Sequence, residues 1–406
     1  MEQEQEKPKI SYEFLWKLII RPNRDIYREE YLGKSSFYFK GKKYTRKDYD
    51  IISSEGYIMK CSFFEPDELF RPKKIMPVVL YLHGNSSSRI EGICQIEELL
   101  KHDINLFVVD LPGCGLSEGE YISLGYHESH DAKILIDFIE NLPGVGNIGL
   151  WGRSMGAATT MLYAHKDERV KVIVMDSPFA DFNLLAKEQV LKQIKLPNFL
   201  IEGALKIIKM TIKKKNGLDI DKLKPINAAP TTTQPAMFIH ANNDELIDGK
   251  HSEMLLNAYG GKEKYLKKCI GNHNSKRPAK LIKDIGTFFY KHLVNDAEDD
   301  SISTIVNKSE IFDEDESSRD TKNENINSNN NNDNENKKMC IKEEQNIENK
   351  QNNNEIKDNN NSENDVKISD IGEHLIKIEE KKKKESEIEF LPKKISEAFL
   401  DNEKGK

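Results

Sequence analysis

The chain has 406 residues, 32% of them charged, with a mean hydropathy of −0.66 and a formal net charge of −7. That is too polar for a chain packed from end to end, and charge of mixed sign excludes a basic nucleic-acid-binding surface. The apolar runs fall between residues 76 and 290, whereas Asn, Glu, Lys, Asp and Ser dominate from Asn295 onward. Thr321 to Asp365 holds no aromatic residue, so it buries too little apolar surface to offset its ordering entropy. We therefore expect a globular part over residues 1–295 and a disordered tail, rich in Asn, Glu and Lys, over 296–406.

The opening Met1 to Glu6 is acidic where a secretory leader would be basic, and no apolar run approaches the roughly 20 residues needed to span a bilayer. Phe14 to Pro22 is a short apolar stretch. It reads as a segment packed across the core, or alternatively as a membrane-surface anchor with Trp16, Lys17 and Arg21 at the interface. Five cysteines, at positions 61, 94, 114, 269 and 340, lack C-x-x-C spacing, which argues against a disulfide framework or a zinc site. A cytoplasmic location is expected, with peripheral membrane contact through the N-terminal segment or the later helical insertion as an alternative.

Asp48 to Ser53 and Tyr57 to Phe64 are β-rich runs around Ser54-Glu55-Gly56, a hairpin signal. Pro77 to Leu82 is continuously apolar, as a strand buried on both faces should be, and runs into His83-Gly84-Asn85. A helical pattern follows through Ile93, Ile96, Leu99 and Leu100. Further strands are expected at Leu106 to Val109, Val170 to Met175, Ala236 to Ile239 and Tyr265 to Ile270. Helices are expected at Ser123 to Glu140 and Pro278 to Leu293. Such alternation predicts an α/β fold: a mostly parallel sheet with helices on both faces, its functional groups at the carboxyl ends of the strands.

Gly152-Arg153-Ser154-Met155-Gly156 sits between the apolar run Ile148, Leu150, Trp151 and the helical run Ala157 to Tyr163. Strand, tight turn and helix in that order are the context in which G-x-S-x-G lifts a serine above a sheet. The glycines are expected where a Cβ would clash with backbone across the turn, and where unusual φ must be tolerated. Ser154, Asp244 and His273 each follow a predicted strand, in the chain order Ser, Asp, His.

These motifs resemble the α/β-hydrolase superfamily, and within it the plant and protist hydrolases similar to serine aminopeptidase-like enzymes. The resemblance covers roughly residues 14 to 293. It rests on Ile19-Ile20-Arg21-Pro22, His83-Gly84-Asn85-Ser86, Gly115 to Glu120, Trp151 to Gly156, Asp176-Ser177-Pro178-Phe179 and Gly271 to Ser275. It implies an α/β-hydrolase fold in which Ser154 is the nucleophile and His273 its base. Asp244 would be the acid, placed three residues before the aliphatic Ile247, with Asp176 as runner-up. Asp110 and Asp248 are read as turn-stabilising or capping residues. The backbone amide of Met155 would supply one oxyanion donor. By resemblance, Asn85 would supply the second. His102, His165, His251 and His292 are read as surface or packing residues, and His127 and His130 as weak candidates for substrate contact.

Residues 180–228 would form a small helical lid, with helices at Ala180 to Ile194 and Asn198 to Lys215. The second carries Leu200, Ala204, Leu205, Ile208 and Ile212 on one stripe and ends in a solvated Lys213-Lys214-Lys215. The lid either roofs an acyl site or packs on the body. The expected activity is hydrolysis of acyl esters or thioesters through an acyl-serine intermediate, with no cofactor, metal or nucleic acid. A serine peptidase, a membrane-acting protein depalmitoylase and an inactive scaffold are the alternatives, and any protein partner of the tail is unknown.

Overall fold

A computed structural model describes residues 12–193 and 198–295; the expected tail lies outside the described residues. In chain order the elements are helix α1 (Tyr12–Ile20), strands β1 (Ser36–Phe39), β2 (Lys42–Ile52), β3 (Ile58–Pro66) and β4 (Met76–Leu82), then short helices α2 (Ile90–Ile93) and α3 (Ile96–Lys101). Strand β5 (Asn105–Val109), α4 (Glu128–Glu140), β6 (Val145–Arg153), α5 (Met155–Ala164) and β7 (Val170–Asp176) follow. The insertion helices α6 (Phe182–Gln193) and α7 (Asn198–Asn216) precede β8 (Ala236–Ala241), α8 (Lys250–Ala258), β9 (Lys264–Cys269) and α9 (Ala279–Tyr290).

The strands form one nine-stranded sheet in the order β1-β2-β3-β5-β4-β6-β7-β8-β9. β1, β2 and β3 pair antiparallel, as do β3 and β5, and all pairs from β5 through β9 are parallel. Alternation along the central strands sends side chains into two apolar layers. Val78, Leu80 and Leu82 join Ala132, Leu135, Met161 and Leu255 on one face. Val79 and Tyr81 join Ile96, Leu99, Ile285 and Phe289 on the other. Helices therefore cover both faces, and the central strands between them are mostly apolar for that reason. Leu80 is fully buried, and its truncation to Ala would cost about 2–5 kcal/mol.

Chain direction reverses around β4. From β4 the chain moves outward to β5, then crosses back to β6 on the other side. The loops after β4 and β6 therefore diverge at a topological switch point, where open α/β sheets form their binding crevice.

Several local expectations are corrected. The helix expected from Ser123 starts only at Glu128. Leu124 and Gly125 take positive φ values of 55° and 114°, and the buried Glu128 carboxylate gathers the Ser123 amide, the Ser123 hydroxyl and the Gly125 amide instead. The helical pattern through Ile93 to Leu100 divides into α2 and α3. Strand β2 begins at Lys42, earlier than expected, because it pairs with both β3 and the unanticipated edge strand β1.

Trp16 and Ile20 are buried in the body, and Lys17 and Arg21 pair with Glu13 and Glu120. An anchor built on Trp16 would need that ring exposed, and it is 4% exposed. The ammonium of Lys215 lies 4.4 Å over the Trp16 ring and Lys213 pairs with Asp219 at 3.0 Å, while all three lysines at the end of α7 are exposed. Ile208 and Ile212 bury the inner face of α7, while the side chains of Leu200 and Ala204 lie outside the described residues. No described helix is long and apolar enough to cross a membrane.

Candidate active site

Strand β6 delivers the chain to Ser154, and α5 begins one residue later. Between them Ser154 takes φ 50° and ψ −112°, a conformation costly for any residue with a Cβ. The positive φ thus falls on the serine, not on its flanking glycines, whose part is steric. A Cβ on Gly152 would stand 2.2 Å from the Gly156 carbonyl oxygen, and one on Gly156 would stand 1.9 Å from that of Leu82. These contacts hold the turn tight and press the start of α5 against the end of β4. The Ser154 amide is tied to the Asp176 carbonyl at 2.7 Å, and the Ala158 amide returns to the Ser154 carbonyl at 3.0 Å.

Nε2 of His273 lies 3.0 Å from Ser154 Oγ, and its Nδ1 lies 2.6 Å from Asp244 Oδ2. The other carboxylate oxygen of Asp244 accepts the amides of Leu246 at 3.0 Å and Ile247 at 2.8 Å. Three residues from two strand ends and the β6 turn, 119 positions apart at most, thus meet on one rim. Burial raises the cost of ionising Asp244, but the hydrogen bond and charge of His273 and the Ile247 amide outweigh it, holding the carboxyl below its ordinary value. A serine hydroxyl that donates to an imidazole held by a carboxylate can lose its proton as it attacks an electrophile.

As the first residue of α5, Met155 presents an amide with no acceptor in its own helix. Asn85 lies in the loop after β4, beside Gly84, whose absent Cβ would stand 3.6 Å from that of Ser154. The Leu111 amide donates to His83 Nε2, which leaves Nδ1 to donate to the Gly84 carbonyl at 2.7 Å. Because the peptide is planar and trans, fixing that carbonyl turns the Asn85 amide the opposite way.

The other sequence candidates lie elsewhere. Asp176 is not against His273; its carboxylate grips Arg277 through two contacts of 2.8 Å. Asp110 binds the Arg89 amide, the Leu116 amide and the Tyr27 hydroxyl, and Asp248 receives the Lys250 amide at the start of α8. His127 reaches the Asn216 carbonyl at the end of α7, and His130 packs edge-on to Tyr126. Both are turned to structure there.

Four residues that the sequence reading did not single out border the site. His240, buried at the end of β8, donates from Nε2 to the Ile247 carbonyl, accepts from the Ser252 hydroxyl and lies 3.5 Å from Asp244 Oδ2. Burial lowers its basicity. Its position directly after an apolar strand, four residues before Asp244, was the available signal. Glu91, Arg153 and Arg277 surround the His273 loop; Arg153 fills a variable position of the G-x-S-x-G turn, and Glu91 and Arg277 carried no motif beyond their charge.

A sequence profile described as alpha/beta hydrolase fold matches residues 77–204, from β4 into α7. The chain has the α/β-hydrolase fold. The chain is 24% identical over 225 residues to YqkD, an uncharacterized protein of Bacillus subtilis, a match covering 53% of this chain and 73% of the relative. It is 26% identical over 154 residues to a proline iminopeptidase of Saccharolobus solfataricus, covering 38% of this chain and 48% of the relative. Among solved structures, an esterase of Pyrococcus furiosus superposes with a TM-score of 0.50 at 19% identity, over 67% of this chain and 97% of that one. At that identity the likeness concerns the fold.

Proposed function

We propose that this chain is a serine hydrolase that cleaves acyl esters or thioesters through an acyl-serine intermediate. The observation that carries the reading is the run of contacts from Ser154 Oγ to His273 Nε2 at 3.0 Å and from His273 Nδ1 to Asp244 at 2.6 Å. In this reading Oγ attacks the carbonyl carbon while Nε2 accepts its proton, and Asp244 holds the tautomer and stabilises the imidazolium. The oxyanion is received by the amides of Met155 and Asn85; losing one such donor costs about 2.7–4 kcal/mol of transition-state stabilisation. His273 then returns the proton to the leaving alcohol or thiol, and a water, deprotonated by the same ring, releases the acid.

The test is labelling by a fluorophosphonate, followed by a panel of p-nitrophenyl esters and acyl-thioesters of increasing chain length. Labelling at Ser154 with turnover of at least one ester supports the reading, and neither labelling nor turnover defeats it in favour of a scaffold. The similarity to the iminopeptidase favours one further arm, L-proline p-nitroanilide. Preference for that substrate would move the assignment to an aminopeptidase. A reducing, cytoplasmic setting and the role of helices α6 and α7 as an acyl roof belong to the same proposal.

A further inference from the structure

Four charged side chains beside the site have no part in the chemistry just described: Glu91, Arg153, Asp176 and Arg277. The two arginines converge on one atom, the main-chain carbonyl oxygen of His273, and each is held by one of the two acids. Arg153 Nη2 donates to it at 3.1 Å and Arg277 Nη2 at 3.3 Å. Arg277 Nη1 also takes the carbonyls of Asn272 at 3.0 Å and Ser275 at 3.1 Å, so one guanidinium holds the loop on both sides of the histidine. That loop lies between β9 and α9, outside any ladder, and its carbonyls need side-chain donors.

Each guanidinium is held in turn by a carboxylate. Asp176 grips Arg277 through Nε and Nη2, both at 2.8 Å, while its main-chain carbonyl receives the Ser154 amide at 2.7 Å. A single residue thereby ties the serine by its backbone and the histidine loop by its side chain. On the other side Glu91 Oε1 lies 3.3 Å from Arg153 Nη1 and accepts the Tyr81 hydroxyl at 2.9 Å. Glu91 Oε2 accepts the Gly84 amide at 3.3 Å, which links Arg153 to the loop carrying Asn85.

We propose that Arg153 and Arg277 are positioning residues that clamp the His273 carbonyl and so set the approach of its ring to Ser154, with Glu91 and Asp176 anchoring the two arms. The inference rests on the reading of Ser154 and His273 as the reacting pair. A planar guanidinium suits this task because its several donors leave in fixed directions from one rigid plane, so it serves a carboxylate and a carbonyl in a set geometry, where an ammonium offers fewer donors that rotate freely. In this role the clamp acts on catalysis through His273 and not through contact with substrate. Its loss should therefore appear in turnover and leave substrate binding nearly intact.

The test uses the full chain with Arg153→Gln, Arg277→Lys and the double variant. Turnover of p-nitrophenyl butyrate is expressed per active site, counted by end-point fluorophosphonate stoichiometry, and the low-field proton resonance of the His273–Asp244 hydrogen bond is recorded in parallel. Since a misplacement of about 1 Å can cost about 100-fold, each single variant should lower kcat per titrated site by about 10- to 100-fold. KM should stay within about threefold, and the low-field resonance should shift or broaden. Folded variants with wild-type kcat per titrated site and an unchanged resonance overturn the clamp. So does a loss of activity explained wholly by fewer titratable sites. If Arg277→Lys fails to fold, Arg153→Gln, whose side chain is partly exposed, decides alone. If the wild-type chain hydrolyses no ester, the functional reading fails by itself. The resonance then still decides the clamp: perturbed in the variants, it stands; unperturbed, it falls.

Discussion

Gly156 meets Leu82 so closely that a Cβ on the glycine would stand 1.9 Å from the leucine carbonyl oxygen. This contact lets the first turn of α5 abut the end of β4, and it is why Ser154 and the His83-Gly84-Asn85 loop share one stretch of the rim. Backbone cannot yield there as the tip of a flexible side chain could. Gly156→Ala should destabilise the fold by about 3 kcal/mol, read by urea unfolding, and depress ester turnover with it. A cost below about 1 kcal/mol would mean that α5 slides freely away from β4.

Asp244 and Asp176 should respond differently to the same substitution. Asp244→Asn removes the carboxylate that holds His273 and should lower turnover by up to about four orders of magnitude in a chain that still folds. Asp176→Asn strands the buried Arg277 guanidinium, and breaking a buried pair costs about 3–5 kcal/mol, so its main effect should be on the unfolding midpoint. Stability and turnover measured on both variants check this. The reverse pattern would assign the acid to Asp176.

If His273 serves as base to Ser154, the two act as a unit. Ser154→Ala and His273→Ala should each remove most of the catalysis, and the double variant should be scarcely slower than either, because such residues are strongly non-additive. Ser154→Ala should also abolish fluorophosphonate labelling. Multiplicative losses, or full labelling of the alanine variant, would detach the serine from the histidine.

Asp131 offers a pH-dependent signature away from the site. It is buried beneath Ser54, whose amide and hydroxyl both donate to it at 2.7 Å, and burial pushes its carboxyl up to about 6 in spite of them. The unfolded value is about 3.9, so between pH ~4 and ~6 the folded state retains a proton that the unfolded state has released. Stability from this group therefore falls as pH rises through that window, by roughly 2–3 kcal/mol. Asp244 runs the other way: its lowered carboxyl contributes stability above about pH 4 that is lost as pH falls through the folded value. Asp131→Asn keeps an acceptor for Ser54 and should flatten the decline between pH ~4 and ~6 in melting curves. An unchanged slope would remove Asp131 as its source.

Strands β4 to β8 were legible in the sequence because a strand covered on both faces is apolar along its buried length, as Pro77 to Leu82 and Val172 to Met175 are. The turn at Ser154 was legible because two close backbone contacts restrict positions 152 and 156 to glycine. The edge strand β1 was not. Ser36 to Phe39 is short and half exposed, and it pairs on only one side, with β2. The start of α4 was misread for a related reason. Helical periodicity extended back to Ser123, but the Glu128 carboxylate offers those amides and that hydroxyl a better acceptor than another helical turn would.

Local pattern thus determined which segments are buried strands, where the tight turn falls and which charged residues stand at strand ends, since each depends on burial or sterics within a few residues. It could not separate Asp244 from Asp176, because both are acids following an apolar strand on the same rim. What separates them is Arg277, 101 residues beyond Asp176 in the chain and 2.8 Å away in space, which occupies one carboxylate and leaves the other to His273. The choice belongs to the tertiary structure because hydrogen-bond partners are settled by distance across the rim, and order along the chain does not carry that distance.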